Sequence, residues 1–84
     1  MDFAEHVAHL LEQQYPGAQV DVGFAYGAEK LNGSLVWAGF DGLEQIDRQR
    51  LLGAYLRAAL GPDAQRVSTI LTYTPHEAQV MASV

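Results

Sequence analysis

Apolar residues recur at Phe3, Val7, Leu10, Leu11 and Tyr15, close to the 3.6-residue period, and predict an amphipathic helix over residues 3–14. Asp2 and Glu5 stand at capping-box spacing ahead of it, where one carboxylate accepts from a first-turn amide and the other reaches back. Pro16-Gly17 ends the helix, and from Ala18 the period changes to two. Val20, Val22, Phe24 and Tyr26 alternate with Gln19, Asp21, Gly23 and Ala25, the pattern of a half-buried strand. Asn32-Gly33 is the strongest hairpin signal, because both residues tolerate the positive φ of a type I′ turn. Gly27 competes with it and allows a longer loop over 27–33. Leu35 to Phe40 is then the returning strand.

Asp41-Gly42 breaks that strand, and a helix follows from Leu43 or Asp47 to Leu60, with Leu43, Ile46, Leu52, Leu56 and Leu60 near one face. Gly53 lies inside it at a cost of about 1 kcal/mol against Ala, which a close helix–sheet approach would explain. Gly61-Pro62-Asp63 is a stop and turn. Val67 to Tyr73 is rich in β-branched and aromatic residues and short enough for a strand. Thr74-Pro75-His76-Glu77 is a second capping box with Pro at the first helical position, opening a short helix over Ala78 to Met81. The order is α-β-β-α-β-α. A helix of that length can cross over, so the third strand can lie parallel to the second. The expected fold is α+β: one domain over 1–84, a three-stranded mixed sheet with helices packed on one face.

Composition changes this picture little but narrows function. The chain has 84 residues, 49% of them hydrophobic, and no cysteine. Disulfides, thiolate metal sites and cysteine nucleophiles are excluded within it. The segment Met1–Glu5 is acidic and has no basic n-region, and no apolar run reaches the roughly 20 residues that span a bilayer. A cytoplasmic location, away from membranes, is expected. Ten acidic residues against five basic give a net charge of −5, a poor start for neutralising nucleic-acid phosphates. Four of the five basic residues, Arg48, Arg50, Arg57 and Arg66, nevertheless fall in one part of the chain.

Three segments carry a family resemblance. They are Phe40-Asp41-Gly42 after a strand, Asp47-Arg48-Gln49-Arg50 opening a helix, and Tyr73-Thr74-Pro75 closing the last strand. In this order they resemble the BolA-like family, and the resemblance runs from the first helix to Ala78. It implies an α-β-β-α-β fold related to class II KH domains and a protein partner, a monothiol glutaredoxin, in iron–sulfur and redox handling. It also implies a cluster-ligating histidine near the start of the third strand and a Cys or His in the hairpin loop. Here that strand begins Arg66-Val67-Ser68, and the loop from Gly27 to Gly33 contains neither residue type. No cofactor is expected, since iron of this kind needs thiolate or imidazole donors.

Other candidates are weaker. His6 and His9 share a helix face without a third donor, the pattern of exposed helix residues rather than of a metal site. Gly39-Phe40-Asp41-Gly42 spells the Gly-x-x-Gly of KH loops, but it follows a strand and carries an acid and a core-type phenylalanine. No Ser or Thr has a His base and an acidic orienter at meaningful spacing, so no enzyme activity is expected. Trp37, Tyr26 and Tyr55 either pack in the core or line a ligand groove. Arg50 and Arg57 share a helix face, with Arg48 pointing elsewhere. These arginines either pair with Glu44 and Asp47 on their own helix or form a docking patch for a protein partner. His76 belongs either to a solvated cap or to a site at a strand–helix junction. The partner-binding set is therefore Arg48, Arg50, Arg57, Arg66 and His76. The alternatives are nucleic-acid binding through the arginine helix and a small-molecule site beside Trp37.

Overall fold

In the computed structural model, residues 1–25 and 27–83 are described. The elements run α1 (Phe3–Gln14), β1 (Gln19–Phe24), β2 (Leu31–Val36), α2 (Gln45–Leu60), β3 (Val67–Tyr73) and α3 (Pro75–Ala82). Short 3₁₀ turns cover Ala38–Phe40 and Gly61–Arg66. The architecture is α+β, in the expected α-β-β-α-β-α order. β1 pairs antiparallel with β2 and β3 pairs parallel with β2, so β2 is central and β1 and β3 are the edges.

The register explains which face is buried. Val20 faces Leu35, Val22 faces Gly33 and Phe24 faces Leu31, so the apolar positions of β1 and β2 share one side of the sheet. Val7 and Leu11 of α1, Leu52 and Leu56 of α2, and Ile70 of β3 close over that side with Leu31, Leu35, Tyr15 and Phe40. The opposite face carries Gln19, Asp21, Asn32 and Ser34, with Leu71 half-exposed among them.

This register corrects the hairpin expectation. Asn32-Gly33 lies inside β2, Gly33 has no positive φ, and the positive φ, +77°, belongs to Gly27, between β1 and β2. A tight turn at 32–33 would draw Val20 opposite Gln45, the first residue of α2, and Val22 opposite Leu43, beyond β2, whereas the observed pairing sets apolar against apolar. Gly33 is needed for a different reason: a Cβ there would lie 2.1 Å from the Asp21 carbonyl oxygen. The returning strand also ends earlier than expected. Residues 38–40 coil into the 3₁₀ turn, which drives Phe40 fully into the core against Tyr15 and Trp37. Tyr26, expected at the end of the first strand, lies outside the described residues.

The capping box expected at α3 is complete, whereas at α1 only the Asp2 half forms, with no return bond from the Glu5 carboxylate among the described residues. Asp2 accepts from the Glu5 amide at 2.8 Å, and Thr74 and Glu77 complete a reciprocal capping box. No helix among the described residues is long and apolar enough to cross a membrane.

Candidate functional site

Helix α2 carries most of the polar side chains that reach across the fold, and they divide sharply along its length. Arg48 stands four residues before Leu52 and eight before Leu56, on the stripe that faces the core. Its side chain is only 5% exposed. The guanidinium donates through Nε to the Leu43 carbonyl at 2.9 Å and through Nη1 and Nη2 to the Glu77 carboxylate at 2.6 and 3.2 Å. It also stacks 5.6 Å from the centre of the Phe40 ring. Arg48 is thus no part of a docking surface, correcting its place in the expected set. Its planar fork matches a carboxylate two-to-two and seals the junction of α2, β3 and α3.

Glu77 is the other half of that junction. Hydrogen bonds from Arg48 and from the Thr74 amide, outweighing the cost of desolvation, lower its carboxyl pKa from the ordinary 4.5 to about 2.

Gln45 and Gln49, one turn apart, guard the edge of β3. The Trp37 amide donates to the Tyr73 carbonyl, so Tyr73 turns its backbone toward β2, and Thr72 and Ile70 turn theirs outward. The Gln45 amide nitrogen donates to the Thr72 carbonyl at 2.8 Å, while its Oε1 accepts from the Thr72 hydroxyl at 2.7 Å. Gln49 Nε2 donates to the Ile70 carbonyl at 2.9 Å. Two side-chain amides therefore stand where a further strand would pair.

The guard stops at Ile70. Towards the start of β3 the register slips: Leu31 faces Val67 and Gly33 faces Ile70, so Asn32 opposes both Ser68 and Thr69. This is a bulge, of the kind that re-aims backbone at strand margins. Beside it α2 and β3 part to leave a cleft of about 200 Å³, floored by Leu52, Leu56, Val67 and Ile70 and bordered by Gln49, Gly53, Arg57 and Ser68. Gly53 does not serve a close helix–sheet contact, as its position in the helix suggested. A Cβ there would meet Arg57 Nη1 at 3.1 Å, so the glycine instead leaves room for Arg57 to fold back along the helix.

The remaining candidates scatter. Arg50 is exposed, its nearest acid being Asp47 at 4.0 Å. Arg66 stacks 4.0 Å over the Phe3 ring of α1 and does not border the cleft. The four arginines therefore do not converge: one is internal, one rests on α1, and Arg50 and Arg57 share the flank of α2 with the exposed Ile46. His76 borders a separate, larger groove of about 680 Å³, together with Trp37, Pro16, Val36, Pro75 and Gln79. Trp37 borders this groove and also packs on Tyr15 and Phe40 at the margin of the core, anchored by its indole N–H on the Pro16 carbonyl at 3.0 Å. Tyr55 does not, because its hydroxyl donates to the Leu10 carbonyl of α1. Tyr26, the third aromatic, lies outside the described residues.

The Gln45–Gln49 pair and the cleft were not singled out in the sequence. A Gln-x-x-x-Gln spacing on the sheet-facing side of a helix was the available signal for the first. Comparison of the sequence with protein-family models and with curated proteins returns no match.

Proposed function

We propose that this chain is a non-enzymatic, BolA-like interaction module of the cytoplasm that docks an acidic protein segment along the Arg50–Arg57 flank of α2. The observation that supports this most is the state of those two guanidinium groups. Arg50 is solvent-exposed with one distant acid beside it, and Arg57 has no ion-pair partner among the described residues. In a chain of net charge −5, such a flank attracts an acidic partner while the rest of the surface repels it, which sets encounter rate and orientation. The element order agrees with the BolA-like resemblance, which makes a monothiol glutaredoxin the first partner to try. No cofactor is assigned. Burial of Arg48 leaves this helix with two exposed cations, fewer than nucleic-acid binding asks of it.

The test is charge reversal. The Arg50→Glu/Arg57→Glu protein should keep the fold and thermal midpoint, yet lose at least tenfold in affinity for the partner in titration calorimetry. Equal affinity in the reversed protein sinks the reading.

A second reading has one observation in its favour. The groove beside Trp37 and His76 falls within the roughly 300–1,000 Å³ range of small-molecule sites, and an aromatic and an imidazole meet there.

A further inference from the structure

The cleft beside Gly53 has features that docking an acidic segment in general does not need. Its floor is four aliphatic side chains, and its rim carries a guanidinium, an amide and a hydroxyl. The Gln49 nitrogen is already satisfied by the Ile70 carbonyl, and lies 3.4 Å from Thr72 Oγ1, so its Oε1 is the group left to accept. Arg57 and Ser68 make no side-chain hydrogen bond to the described residues and both present donors. The cleft thus combines donors suited to a carboxylate, an acceptor for an N–H, and an apolar surface, all within about 200 Å³. That is smaller than the roughly 300–1,000 Å³ of cofactor sites and is the scale of a single residue.

We infer that this cleft receives the C-terminal residue of a partner chain, an aliphatic one such as Leu or Val, with its carboxylate on Arg57. The inference rests on the docking reading above and names what is docked. An Asp or Glu side chain is a poorer occupant, because its carboxylate sits at the tip of a short polar branch and leaves the aliphatic floor uncovered. A chain terminus carries carboxylate, N–H and aliphatic group on one carbon, so guanidinium, Gln49 Oε1 and floor are met together. Gly53 fits the same account. The helix forgoes the stability an alanine would add there, and the space goes to the Arg57 guanidinium.

The experiment is an amide-resolved NMR titration of the full chain with three short peptides: one ending in a free Leu carboxylate, the same peptide amide-capped, and a capped peptide with an internal Asp. The free acid should shift the Gly53, Ser68 and Ile70 amides saturably, and capping should weaken binding at least tenfold. Gly53→Ala should fold with an equal or higher thermal midpoint and bind at least threefold more weakly, and Arg57→Gln should abolish the shifts. Equal binding of the capped peptide, or a response to the Asp peptide alone, overturns terminus recognition while leaving acidic docking in place. No response at the cleft to any of the three overturns the inference, and the docking reading then stands or falls on the charge-reversal calorimetry.

Discussion

Arg48 and Arg57 stand on the same helix, nine residues apart, and have opposite fates. Around Arg48 the polar groups answer one another: Glu77, Leu43, Thr72, Gln45 and the Gln49 nitrogen form a continuous set of hydrogen bonds joining α2 to β3 and α3. Around Arg57 the helix and strand part, a glycine replaces a side chain, and the strand bulges. One end of the interface carries stability and the other leaves donors facing solvent. An arginine's role here follows from whether its stripe points at the sheet or past its edge.

The strongest way to break this contrast is to remove each guanidinium while keeping its aliphatic bulk. Arg48→Met should cost about 2–3 kcal/mol in urea unfolding, because it removes charged hydrogen bonds at a buried junction. Arg57→Met should stay within about 0.5 kcal/mol of the parent, as exposed substitutions do. Equal losses would mean that the two ends are not different in kind.

A smaller effect is expected from the edge guard. Replacing Gln45 and Gln49 together by Ala should cost about 1–2 kcal/mol and raise self-association in sedimentation, since the Thr72 and Ile70 carbonyls become free to pair with another chain. Unchanged stability and sedimentation would show that these amides merely rest on the strand.

The mildest test uses acid. The folded Glu77 carboxyl titrates at about 2, below its ordinary 4.5, so its contribution is whole above pH 4.5 and disappears as pH falls through about 2. The gap in thermal midpoint between the parent and Glu77→Gln should therefore be constant near neutrality and close between pH 4.5 and 2. A gap that persists at pH 2 would show that it owes nothing to ionisation.

Much of the fold was legible because local signals agreed. Helix α1, strand β3 and the capped start of α3 each had period, composition and boundary residues pointing the same way. The hairpin was misplaced because Asn-Gly is a strong local signal, whereas register is decided by which faces match across the sheet. By residue type alone Arg48 belongs on the surface, because charged residues are almost never buried without a partner. Its partner, Glu77, lies 29 positions away, in an element whose angle to α2 no spacing rule supplies. The cleft was invisible for a related reason: it depends on a one-residue slip between strands that the sequence of β3 does not announce.

The parallel pairing of β2 with β3 also bears on how the chain is made. Thirty residues separate Val36 from Val67, and at ribosomal rates of 5–20 residues per second they take roughly 1.5–6 s to appear. During that interval β2 can pair with β1 but has no neighbour on its other side. Its centre reads Asn32-Gly33-Ser34, three residues of little intrinsic tendency to extend or to stick. A central strand this bland is a safeguard for the nascent chain, keeping the waiting edge unattractive until its proper neighbour is translated.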